Sequence, residues 1–204
     1  MLCVLMPLIE KGRCAMKPIH ILLIGLIGLM LGLISAPHAG ASGIVIGQSL
    51  GTACYDEASW GNNDFNALDV CNRAIDEALL STKDLAATYV NRGIVRVNRG
   101  DIDGGLKDYH EALRLRPNLG DAMANMGTAY LRAEQYQEAL INLDKALQYD
   151  NLRRPSHVYF NIAMAQEELG NTKAAYLNFK KAAELNPKWS WPRNELKRFT
   201  VRTK

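Results

Sequence analysis

One apolar spacing occurs four times along the chain, and nothing else in the sequence constrains the fold as strongly. The four segments are Ala67-Leu68-Cys71-Ala74-Ile75, Gly105-Leu106-Tyr109-Ala112-Leu113, Ala139-Leu140-Leu143-Ala146-Leu147 and Ala175-Tyr176-Phe179-Ala182-Ala183. Each sets apolar or small groups at i, i+1, i+4, i+7 and i+8, which is one face of a helix. A small residue stands at i and at i+7 in every copy, so another backbone can approach closely there. The starts are 38, 34 and 36 residues apart. A period of that length describes helical hairpins that cannot bury their apolar faces alone and stack to do so.

The helix before each of these repeats too. Tyr89-Val90-Asn91-Arg92-Gly93, Met123-Ala124-Asn125-Met126-Gly127 and Tyr159-Phe160-Asn161-Ile162-Ala163 align, each with a small residue twelve places before the next helix's small one. Gly100-Asp101 and Gly170-Asn171 mark turns between helices, and Pro117 and Pro187 end units. With these marks the chain resembles the tetratricopeptide repeat family. The resemblance covers residues 86–187 as three repeats, 86–119, 120–155 and 156–187, and implies an all-α solenoid of three helical hairpins. The helix at 67–80 then looks like the second half of a degenerate fourth repeat, making 42–85 an N-terminal half-repeat. Departures exist: Arg92 and Arg96 stand where the family usually has Leu and an aromatic, and Asn151 replaces the unit-ending Pro. The spacing grows by two near Leu152-Arg153-Arg154, where a looser joint is expected.

The N-terminus reads as a targeting segment. Ile21 to Ile34 are fourteen uncharged apolar residues preceded by Lys17 and followed by Ala39-Gly40-Ala41. A basic start, a short apolar centre and a small-x-small exit describe a secretory signal peptide, shorter than the ~20 residues of a bilayer span. Residues 1–41 are assigned to it, with cleavage expected between Ala41 and Ser42 and Met16 as an alternative start. The exported chain is expected in the periplasm. Over the whole chain, 48% hydrophobic and 22% charged residues exclude disorder as the main state, and a single long apolar run excludes a polytopic membrane protein.

Only Cys54 and Cys71 survive such processing. An even pair in an oxidising compartment favours a disulfide, worth roughly 3 kcal/mol on the chain-entropy model. Residues 188–204 hold six basic side chains against Glu195 alone, although the overall charge is only +3. Two interpretations of this basic segment stand: a C-terminal capping helix, with Trp189 and Phe199 covering the last repeat, or a tail that docks on an anionic membrane surface. Nucleic acid is not expected as a partner.

No phosphate loop, G-x-S-x-G or H-E-x-x-H motif occurs, and carboxylates on exposed turns keep ordinary acidity, so neither catalysis, cofactor nor metal is expected. Binding remains. The resemblance implies a concave surface formed by the first helix of each pair. Carried over residue by residue, it includes Ala87, Val90, Asn91, Ile94 and Val97, then Asp121, Ala124, Asn125, Thr128 and Leu131, then His157, Phe160, Asn161, Met164 and Glu167. Asn91, Asn125 and Asn161 form a ladder of amides able to orient an extended peptide, although Asn is common there in the family whatever the ligand. Phe160 and Met164 are the candidate apolar anchors. Lys and Arg beside such an Asn would grip a C-terminal carboxylate; here the neighbours are Val90, Ala124 and Phe160. The expected role is a non-catalytic scaffold or adaptor for an unidentified protein or peptide. A subunit of an envelope enzyme complex is the rival role, and the oligomeric state is open.

Overall fold

The computed structural model describes residues 49–61 and 65–199, and the signal segment with its Ala41–Ser42 junction lies outside them. The described residues form α1 (Leu50–Trp60), α2 (Phe65–Glu77), α3 (Thr82–Asn98), α4 (Ile102–Leu115), α5 (Gly120–Arg132), α6 (Tyr136–Ala146), α7 (Pro155–Glu168), α8 (Thr172–Leu185) and α9 (Ser190–Leu196). Each helix packs mainly on its chain neighbours, as an α-solenoid requires. None of the described helices is long and apolar enough to cross a membrane.

Local chemistry places the boundaries. The Ser49 hydroxyl accepts the Thr52 N–H at 3.2 Å to start α1, Ser81 does the same for Asp84 in α3, and Asp101 caps α4 through Gly104 N–H at 2.9 Å. Gly100 and Gly170 turn their hairpins at φ 88° and 76°. The equivalent place in the second repeat holds Glu134 at φ 60°, a left-handed conformation that a side chain disfavours.

Small residues let the paired helices close, as their spacing implied. A Cβ on Gly93 would stand 2.5 Å from Tyr109 Cε1, and one on Gly127 2.6 Å from Leu143 Cγ. Helices α3 and α5 therefore lie against α4 and α6 at backbone contact, with Tyr109 and Leu143 filling the seams at 0% exposure.

Two expectations are corrected. The N-terminal segment is not a half-repeat: α1 pairs with α2 and both pack on α3, so it is a complete helical hairpin. The sequence hid α1 because its only buried residues are the small Cys54 and Ala58, too little for a clear periodicity. Cys54 and Cys71 are joined by a disulfide across this hairpin, both fully buried. The joint between the second and third repeats is also not loose. Asn151 accepts the Gly120 N–H at 3.1 Å and donates to Asn118 O at 2.8 Å, while Arg153 clasps Asp121 through Nε at 2.7 Å and its backbone N–H at 3.2 Å. The two extra residues give the loop reach to satisfy the start of α5, which has no side-chain cap of its own.

At the far end the capping helix is where its pattern put it. Trp189, Leu196 and Phe199 pack on the cluster of Phe160, Ala163, Ala175, Phe179 and Ala182, and the cations Arg193, Lys197 and Arg198 stay exposed.

Candidate functional site

The first helices of the three repeats, α3, α5 and α7, present the nominated positions in one series, but far more buried than an open groove would leave them. Val90 and Ile94 are 0% and 1% exposed and belong to the cluster that runs from α1 into α5. Asn91, Asn125, Thr128 and Asn161 are equally enclosed.

The amide ladder is partly structural. Asn161 Nδ2 donates to Thr128 Oγ1 at 2.9 Å, and that hydroxyl donates to Ala124 O at 2.9 Å, tying α7 to α5. The Asn161 Oδ1 atom is buried without a hydrogen-bond partner. Such an acceptor costs roughly 1–3 kcal/mol unless a donor reaches it. Arg132, on α5, makes a comparable inter-repeat link through Nη1 to Val97 O at 3.1 Å, and burial holds its guanidinium below its ordinary pKa.

Phe160 is corrected as an open anchor. The chain covers it with its own aromatics: Phe179 meets it edge-on at 5.2 Å and Trp189 lies at 5.0 Å. His157 stacks on Trp189, its ring 4.1 Å away and 8° from parallel, with Ser156 Oγ 3.3 Å from Nδ1. Burial, and secondarily the Arg154 charge, lowers the His157 pKa to about 4, so the ring is neutral at physiological pH. Asp121 is likewise taken up by Arg153. Met164, half-buried among neighbours of both repeat clusters, is the nominated apolar residue that keeps some access.

The sequence missed a cavity, because it missed α1. A hollow of about 290 Å³ is lined by Ser49, Gly51, Thr52, Leu79, Leu80, Asp84, Ala87, Thr88 and Asn91. It opens at the N-terminal end of the α3 face, where Ala87 and Asn91 are two of the nominated positions. Hydroxyls, one carboxylate and two leucines give it the mixed lining that a peptide side chain beside its own backbone calls for. Among the described residues no group of His, Cys, Asp or Glu is assembled for a metal ion.

Comparison with known proteins agrees with the repeat geometry. The tetratricopeptide repeat family matches residues 84–151 and again 156–188. A photosystem I assembly protein, Ycf3, of Prochlorococcus marinus is 29% identical over 139 residues, 61% of this chain and 80% of that protein. Two solved structures share the fold. Pseudomonas aeruginosa PilF superposes with a TM-score of 0.62 at 20% identity, covering 72% of this chain and 64% of that one. The second tetratricopeptide domain of human RPAP3, solved with an HSP70 peptide, gives 0.53 at 20% identity over 60% of this chain and all of that one.

Proposed function

The chain belongs to the tetratricopeptide repeat family, and from that premise we propose that it is a non-catalytic periplasmic adaptor that receives a peptide or helix of a partner protein along the α3–α5–α7 face. Scaffolding of protein–protein interaction is what family membership supports. The observation that carries the finer statement is the 290 Å³ cavity at the head of that face, with Asn91 and Ala87 on its wall. A partner side chain seats there between Leu79 and Leu80, and its backbone runs on toward Met164, the nominated apolar residue that keeps some access. Val90, Ala124 and Phe160 stand where Lys and Arg would hold a terminal carboxylate, so the partner is held by apolar contact and by hydrogen bonds at the cavity.

Affinity capture from the protein's own envelope tests this, with wild type beside Thr52→Trp, which fills the cavity, and Met164→Asp, which charges the far end of the face. A protein retained by wild type and lost by both variants is the expected result. Equal retention by all three removes the face as the binding site. Location is tested separately: intact mass of protein released by osmotic shock should begin at Ser42, and a mass that includes residues 1–41 rejects the cleaved, periplasmic form.

A further inference from the structure

The two ends of the stack carry opposite charge. Residues 49–85, which are α1, α2 and the first turn of α3, hold seven acidic side chains against two basic ones. Residues 172–199, the α8–α9 end, hold seven basic against two acidic, while residues 86–171 between them are nearly balanced, ten basic against eleven acidic. The charge therefore sits where the solenoid stops, and it is exposed: Asp69, Asp76 and Asp84 at one end, Lys173, Lys180, Lys181, Lys188 and Arg193 at the other.

Both ends also expose large apolar side chains. Trp60 is 78% exposed and Leu79 fully so at the acidic end; Leu177 at 52%, Leu185 at 43% and Trp191 at 36% stand among the lysines. Leu185 is informative because its counterparts one and two repeats earlier, Tyr149 and Leu115, are half-buried. The repeat that covers them has no equivalent over Leu185, where the described chain offers only the seven-residue α9. A solenoid end covered only in part by so short a helix keeps apolar surface for another hairpin of the same kind. The α1–α2 hairpin of a second copy is such a unit, with the opposite charge and its own exposed Trp and Leu.

We propose that the protein self-associates head to tail, the acidic α1–α2 end of one copy seating on the basic α8–α9 end of the next. Each copy then has one face of each kind. The interface is heterologous, and growth is open unless the rotation between copies closes a ring. The attraction is between exposed charges, so salt weakens it.

Sedimentation velocity on the exported protein tests this. The expected result in about 50 mM salt is a mass that rises with concentration past the dimer, and an association at least about tenfold weaker in about 300 mM salt. Asp69→Lys/Asp76→Lys and Lys180→Glu/Lys181→Glu each swap two charges at exposed positions, remove most of one end's net charge, and each weaken self-association about tenfold or more. Mixing the two variants restores a one-to-one complex, because the acidic end native to the second meets the basic end native to the first. The purified protein carries no partner, so self-association is measured apart from the partner face. A wild type that stays monomeric in low salt overturns the proposal, whether or not vesicles of anionic lipid retain it. So does association that both charge reversals leave intact.

Discussion

At the residue scale, the most consequential group is one the sequence pattern gave no reason to notice. Arg92 and Arg96 stand out as departures from the family's usual Leu and aromatic, and the structure explains them through Asp108. The Asp108 carboxylate, 3% exposed, accepts from Arg92 Nη2 at 2.7 Å, Arg92 Nε at 3.0 Å and Arg96 Nη1 at 3.0 Å. Arg92 also reaches Asn72 at 2.9 Å, so the knot binds α2, α3 and α4 together. Its partners are 12, 16 and 20 residues apart and meet only once the hairpins have closed, which is why no local motif shows it. Loss of the carboxylate strands two partly buried guanidinium groups. Asp108→Ala is expected to lower the unfolding free energy by about 3 kcal/mol. Glu77→Ala, which breaks the exposed Arg73–Glu77 pair, is expected to leave the midpoint nearly unchanged. Urea midpoints of the two variants measure the contrast, and equal effects would show that the Asp108 pairing is no stronger than a surface one.

Turns and caps are legible as elements, and they fail where the expected residue is missing. Two hairpins turn on Gly100 and Gly170, which the sequence marks plainly; the middle one turns on Glu134 at φ 60°. The left-handed strain of a side chain, about 1–2 kcal/mol, exceeds the entropy that glycine adds to the unfolded chain. Glu134→Gly is therefore expected to raise stability by about 0.5–1 kcal/mol, a rise in thermal midpoint with no change in helix content. The capping helix makes a second prediction. Neutral His157 stacks on Trp189, and its pKa in the fold, about 4, lies below the ordinary 6.5 of an unfolded chain. A depressed pKa means stability that is complete above about pH 6.5 and drains as pH falls toward 4, on the order of 3 kcal/mol in all. His157→Phe keeps an aromatic ring on Trp189 and removes the titration. Denaturant midpoints of wild type and variant should diverge between about pH 7 and about pH 4.5; parallel curves would show that other groups govern the acid limb.

Over the whole molecule, the repeat period carried the fold from Thr82 to Leu185, because each unit buries the same face and the pattern recurs in register. It did not carry the groove. The same periodicity that assigns Val90, Ile94 and Phe160 to the inner helices cannot distinguish an exposed inner face from a closed one, and the structure closes it. Nor did it carry α1, whose hold on the stack depends on a covalent bond rather than on apolar area. Only Cys54 and Ala58 of that helix are buried, with Leu50 and Tyr55 partly so, so its contact with the stack supplies less hydrophobic free energy than a full repeat's. The Cys54–Cys71 bridge makes up the difference by tethering α1 to α2, whose own buried face includes Ala67 and Ala74. The consequence is a stack with one conditional unit. In Cys54→Ala/Cys71→Ala, the loss of roughly 3 kcal/mol should fall on the N-terminal hairpin and leave the repeats standing. Amide exchange reads this directly: the α1 amides lose protection, while α3 to α8 keep theirs because they open as separate units. Undiminished protection of α1 would mean that packing alone holds it. Uniform loss across all helices would mean that the solenoid folds as one cooperative body. The expected pattern would also remove one wall of the cavity, so the same variant should lose the partner that Thr52→Trp loses.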